Sequence, residues 1–291
     1  MKNNSNPLKD WQTINFDFNS QTHQALLQQH QAVQLIALAG KYLIDEKADD
    51  SHTNMNFISQ TPLFKGKTFK NGMCIAFDTD QFSLQLIDEI GEVLNQLSID
   101  GKTQEEAFAW MKQNLSKAGI DVSTLQNKLH YSIPDHPIQS GAVFHVENHL
   151  SLLQNNVYRH NAELVLAEIF NDFKINAEVN VWPHHFDTGA FLPLVFDEDK
   201  NLLKYIGLGF AIPDTMVSEP YFYLSFWSKE SIAALKNPPP LKYGKWMNPN
   251  WHGAVLTVSE IARQQSADQQ FQMVNDFYQS GLNILNPFFN L

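Results

Sequence analysis

Two segments of the later chain alternate so strictly that they leave little choice of fold. In Tyr205-Ile-Gly-Leu-Gly-Phe-Ala211, the bulky Ile206, Leu208 and Phe210 alternate with Gly207, Gly209 and Ala211. In Glu219-Pro-Tyr-Phe-Tyr-Leu-Ser-Phe-Trp227, Phe222, Leu224 and Phe226 alternate with Glu219, Tyr221, Tyr223, Ser225 and Trp227. Successive side chains of a strand point to opposite faces, so this period of two predicts strands with one greasy face. Strands of that kind belong to antiparallel sheets that pack the greasy face on helices.

Helical patterns surround them. Apolar residues from Leu26 to Ile44 predict a helix over Ser20 to Lys47, bent near Gly40. Thr103-Gln-Glu-Glu106 matches a capping box opening a helix that should stop at Gly119. Val146 to Phe173 and a segment from Ser266 to about Gly281 complete the helices. Two short strands are expected within Gly72 to Ile87, and Glu178 to Asp187 reads as one strand preceding the alternating pair. The fold expected is α+β, with antiparallel sheets flanked by helices in two similar or intimately packed halves. The extended Leu129 to Pro137 connector places the boundary between residues 1–128 and 129–291. Phe77-Asp-Thr-Asp-Gln-Phe82 and Phe186-Asp-Thr-Gly-Ala-Phe191 share a pattern that would fit an internal duplication.

At 291 residues with 43% hydrophobic and 18% charged composition, the chain has enough apolar material for a substantial core. No run approaches the roughly 18 consecutive apolar residues of a spanning helix, and the polar start lacks the apolar stretch of a secretory signal. A cytoplasmic location is the expectation. A formal charge of −11 speaks against nucleic-acid and membrane partners; oligomeric state is left open. The lone Cys74, within an apolar run, reads as a buried inert thiol.

The residues that can carry chemistry gather around Val181-Trp-Pro-His-His-Phe-Asp187. Period-two alternation along this strand sends Val181, Pro183, His185 and Asp187 to one face, and Trp182, His184 and Phe186 to the other, making His185 and Asp187 neighbours. Paired with the alternating strands, it would border a trough floored by Gly207 and Gly209, since glycine inside a strand leaves room for close approach. A bulge, or direct packing of another segment, explains such glycines equally. Within the trough His185, Asp187 and Glu219 are the candidate catalytic residues. Trp182, His184, Gly207, Gly209, Tyr221, Tyr223 and Arg159 are the candidate ligand contacts. Arg159 is one of only two arginines, suited to a two-point contact with a carboxylate or phosphate, although pairing with Glu163 or Glu168 on its own helix is the plainer explanation. Imidazole and carboxylate together also suit a divalent metal, the only cofactor the residues suggest. The competing account has Asp187 capping a turn and one histidine satisfied in the core.

The stretch Trp182 to Asp187, the glycine-bearing strand with Pro213-Asp214, and Glu219 to Trp227 together resemble a family of bacterial proteins of unknown function with a Trp-Pro-x-His-Phe-Asp signature. Gly72 to Asp78 and His130 to Pro137 are similar to the same group. The resemblance implies one integrated unit and a special role for these strands, without an activity. Phosphate-binding loops, dinucleotide fingerprints, nucleophile elbows and Cys-x-x-Cys pairs are absent from the sequence. The reading is therefore a small-molecule ligand, polar and sugar-like, held by imidazole, carboxylate and aromatic groups. A metal-dependent hydrolase or lyase and a non-catalytic interaction protein with an exposed aromatic strand are the alternatives.

Overall fold

The computed structural model describes residues 10–15 and 18–291. The protein is α+β, built of antiparallel sheets and helices, in two compact units. One contains residues 18–156 and 180–186; the other contains 10–15, 157–179 and 187–291. The chain thus crosses between units more than once, and position 129 lies inside the first of them. Among the described residues, no helix is long and apolar enough to cross a membrane.

The unit of residues 18–156 and 180–186 is organised around α1 (Ser20–Leu43), which begins with an Asn19 capping box. From Gln29 to Gly40 every residue of this helix is buried, so Gln29, His30 and Gln34 occupy positions that an amphipathic pattern would have given to solvent. The helix runs through Gly40. A Cβ there would stand 2.5 Å from the His52 carbonyl oxygen and 2.9 Å from Thr53 Cα, so the glycine answers to packing and not to a break.

Strands β1 (Asn56–Ile58), β2 (Leu63–Lys65), β3 (Cys74–Asp78), β4 (Ser83–Ile87) and β5 (Val93–Ser98) form an antiparallel sheet in chain order. Helix α2 (Gln104–Lys117) starts at the Thr103 and Glu106 capping box and ends before Gly119, whose φ is +80°. Cys74 is fully buried, and burial pushes its thiol up to about 11. The short β6 (Asn180–Trp182) returns to this unit through the bridge between Met55 and Val181.

In the other unit, β7 (Asp187–Phe196), β8 (Leu202–Ala211), β9 (Tyr221–Ser228), β10 (Lys245–Trp246) and β11 (Gly253–Thr257) are antiparallel in the order β10-β11-β9-β8-β7. The unit also contains residues 157–173 of α3 (His149–Phe173), with α4 (Val258–Ile261) and α5 (Ala267–Phe289). Ile206, Leu208 and Phe210 of β8 and Phe222, Leu224 and Phe226 of β9 share one core with Val165, Leu166 and Ile169 of α3 and Val274, Phe277 and Leu282 of α5. Helix α5 outruns its expected end because Gly281, opposite the Leu224 side chain, serves close packing of helix on strand.

The expected single strand from Glu178 to Asp187 is interrupted. Residues 183–186 form a turn, closed by the Phe186 amide donating to the Trp182 carbonyl at 2.7 Å, and Phe186 takes φ +53°. Pro183 has no amide to give a ladder, which favours the departure. The period-two assignment of His185 and Asp187 to one strand face is therefore corrected: His185 is in the turn, and Asp187 opens β7. The two Phe-Asp-Thr copies also differ, since Phe77 lies within β3 whereas Phe186 is left-handed. The closer local counterpart of Phe186 is Phe82, at φ +47°, which likewise ends a turn of four residues just before a strand.

Candidate functional site

Register places the side chains of the sheet face that looks away from α3 and α5. Gly189 of β7 stands opposite Gly209 of β8, which stands opposite Tyr223 of β9; the next row is Phe191, Gly207 and Ser225. A third row is Pro193, Tyr205 and Trp227. The alternation of β8 and β9 thus sorts the faces as their sequences require.

The first row is filled by the protein itself. The Tyr223 hydroxyl lies 2.7 Å from where a Cβ on Gly189 would stand and 2.8 Å from where one on Gly209 would stand. In place of the expected trough floor over Gly209, a tyrosine side chain lies across two strands. Its hydroxyl donates to Asp187 Oδ2 at 2.6 Å. At Gly207 the neighbour is the Ser225 hydroxyl, 2.5 Å from the missing Cβ.

Asp187 is buried, with Arg159 of α3 acting on it electrostatically. The arginine is 1% exposed, donates from Nη1 to Thr188 Oγ1 at 2.5 Å, and has its guanidinium carbon 6.0 Å from the Phe210 ring centre. Burial pulls Arg159 down to about 9, with Asp187 and then Glu163 drawing it back up. Burial pushes the Glu163 carboxyl up to about 8 against the pull of Arg159. Burial, followed by the Asp187 charge and the hydrogen bond to it, holds the Tyr223 phenol well above its ordinary value, so Tyr223 stays a donor. Asp187, Thr188, Arg159 and Tyr223 therefore form a buried polar network, joined by the Arg159–Thr188 and Tyr223–Asp187 hydrogen bonds and the charge of Asp187 acting on Arg159.

No protein family, curated protein or solved structure matches this chain. Its chemistry rests on the residues themselves.

The other candidates separate. Glu219 accepts from the Ser259 amide through Oε2 and from the Ser259 hydroxyl through Oε1, both at 2.8 Å, at the start of α4. Tyr221 donates to Asp214 Oδ2 at 2.7 Å. Trp182, His184 and His185 belong to the other unit. There His185 is exposed, and the His184 ring lies 4.4 Å from it and edge-on to Tyr131 at 5.9 Å and to Trp182 at 6.3 Å. Among the described residues, no three His, Cys, Asp or Glu side chains are grouped to hold a metal ion.

Residues of α1 fix that histidine turn. The Pro183 carbonyl accepts from His30 Nε2 and from Gln34 Nε2, each at 2.9 Å, while the His30 ring stacks on Phe186 at 5.2 Å and 3°. Tyr131 donates to Gln34 Oε1 at 2.7 Å. His30 and Gln34 are polar residues buried within an apolar helix, and that misfit is the signal of their role that the sequence carries.

Aromatic rings join the second row to the third. Tyr205 stacks on Trp227 at 5.8 Å and 17°, and Phe191 meets Tyr205 at 5.1 Å and 49°. Trp227 is 39% exposed, and Phe191 and Tyr205 are partly so. Three rings from three adjacent strands, Phe191 in the second row and Tyr205 and Trp227 in the third, thus make a continuous, solvent-reaching aromatic patch beside Gly207 and Ser225.

Proposed function

We propose that this chain binds a small polar, sugar-like molecule on the glycine-bearing sheet face of the unit containing residues 187–291, at its aromatic end. The observation that carries the reading is the patch of Phe191, Tyr205 and Trp227. An aromatic ring presents a negative face, which attracts the slightly positive C–H bonds of a pyranose ring, and large rings left in water recover free energy when covered. Ser225, in the same row as Phe191, supplies a hydroxyl within the same face, and Gly207 between them keeps that row low. A few polar groups beside an apolar lining are the usual composition of a small-molecule site.

In this reading Asp187, Tyr223 and Arg159 keep β7, β8 and β9 in register and do not touch the ligand, because Asp187 and Arg159 are buried and the Tyr223 hydroxyl is given to Asp187. The test is a titration of the full chain with a panel of common mono- and disaccharides, followed by tryptophan fluorescence and amide NMR shifts. Saturable binding that moves signals of Phe191, Tyr205 and Trp227, and is lost in Trp227→Ala with the fold intact, is the expected result. No binding across the panel, or binding indifferent to Trp227→Ala and Tyr205→Ala, overturns the reading.

A further inference from the structure

Strand β5 is the last strand of its sheet, and its outer edge has no strand partner among the described residues. In an antiparallel ladder every second residue turns its N–H and C=O away from the neighbour, so a terminal strand offers a ready template for another chain. Five of the six residues Val93 to Ser98 are exposed, and Val93 and Leu94 keep 44% and 42% of their surface in water. Ile90, in the hairpin leading into the strand, is 82% exposed.

The devices that normally protect such an edge are sparse. The strand Val93-Leu-Asn-Gln-Leu-Ser98 has no lysine, arginine or proline. Its one irregularity is at Leu94, where the register against β4 skips a residue, and the remaining Asn95 to Ser98 pair regularly. Just downstream, the Gly101 amide donates to the Phe144 carbonyl and the Phe144 amide to the Lys102 carbonyl, both at 2.8 Å. The chain therefore closes its own backbone where the strand ends and leaves the strand open.

Charge selects the occupant. Asp88, Glu89 and Glu92 precede the strand and Asp100 follows it. Asp88 is occupied by the amides of Ile90 and Glu92, and Asp100 lies 3.1 Å from His145 Nδ1. Glu89 and Glu92 have no ion-pair partner among the described residues. A second copy laid antiparallel on this edge would bring the Glu89 and Glu92 end of each strand toward the Asp100 end of the other, acid against acid. We propose that the edge of β5 docks an extended segment of a partner protein carrying lysine or arginine between apolar residues, adding a strand to the sheet. Main-chain hydrogen bonds would supply affinity, with the apolar and acidic flanks supplying selectivity.

The test uses a labelled synthetic octapeptide of alternating valine and lysine, a valine and glutamate counterpart, and the basic peptide interrupted by a central proline. Anisotropy with the full chain should show binding of the basic peptide, with each control weaker by about ten-fold or more. Amide exchange of Asn95 to Ser98 should slow in the complex, and the double variant Glu89→Lys, Glu92→Lys should weaken binding by about ten-fold. The proposal is overturned by absence of binding, by binding that leaves those amides unprotected, or by affinity insensitive to the double variant. Sedimentation showing a dimer that Leu94→Lys dissolves would instead give the edge to a second copy and overturn the choice of partner.

Discussion

The phenol of Tyr223 on β9 reaches the carboxylate of Asp187 on β7 at 2.6 Å, passing over the intervening β8. Neighbouring strands are about 4.8 Å apart, so a side chain can span one strand to reach the next only where the middle strand raises no side chain in its path. Gly209 meets that condition, and Gly189 opposite it gives room for the hydroxyl. The glycines of this face and the Tyr223–Asp187 bond are thus a single construction, extended through Arg159 and Thr188 into the helix layer.

Removing the hydroxyl should expose how much that construction contributes. Tyr223→Phe keeps the ring over the glycines and leaves a buried carboxylate short of a donor, at a cost of about 1.5–3 kcal/mol for a hydrogen bond to a charged group. Urea unfolding of the variant should show a lower midpoint with an unchanged slope. A second variant, Asp187→Asn, should lose stability as well, because it takes a negative charge from beside buried Arg159. If Tyr223→Phe were as stable as the parent, the bond would be incidental.

Gly209→Ala approaches the same point from sterics. The added methyl would lie 2.5 Å from the Thr188 carbonyl oxygen and 2.8 Å from both Gly189 Cα and the Tyr223 hydroxyl. Two of those neighbours are backbone of the adjacent strand, so the tyrosine alone cannot yield enough. Overpacking of this kind costs about 1–3 kcal/mol, and calorimetry should find a transition several degrees lower. A change within error would mean that β7 and β8 can part more easily than their register suggests.

What could be read from the sequence divides along the same physical line. The faces of β8 and β9 follow directly from alternation, and α2 follows from its capping box, because in each case the signal lies within the element. The role of Gly207 and Gly209 did not follow. A glycine face is equally consistent with a vacant floor and with an occupied one, and the occupant, Tyr223, comes from the neighbouring strand. Asp187 was separated from His185 by a turn that only Pro183 announced, and Glu219 was drawn off by Ser259, a partner 40 positions away. β1, β2 and β10 are two or three residues long, too short for a period to declare itself.

Helix α1 offers a reversal of sign. Replacing glycine by alanine inside a helix ordinarily stabilises by about 1 kcal/mol. At Gly40 the methyl would press on the His52 carbonyl and Thr53 Cα, so Gly40→Ala should destabilise by about 1–3 kcal/mol despite the better helix former. Chemical denaturation decides the sign, and a stabilised variant would show that the loop at His52 and Thr53 gives way freely.

Stability should also depend on pH through Glu163, with a sign opposite to that of most carboxylates. Burial raises its folded-state value to about 8 from 4.5. Between those limits the folded state holds a proton that the unfolded state has released, so the unfolded state binds fewer protons and stability falls as pH rises. The contribution is complete below the unfolded value and is lost as pH passes through about 8. Arg159 acts with the opposite sign at higher pH: with its folded value lowered to about 9 from 12.5, it sheds its proton in the folded state while the unfolded chain still holds it, so its contribution rises with pH in that range. Since Glu163 retains some contact with solvent, its share should be about 1–2 kcal/mol and no more. Urea midpoints measured at intervals from pH 5 to pH 8 should fall in the parent and fall less in Glu163→Gln, which keeps the neutral shape and cannot titrate. Parallel profiles for the two proteins would place the pH dependence elsewhere and show that Glu163 stays ionised beside Arg159.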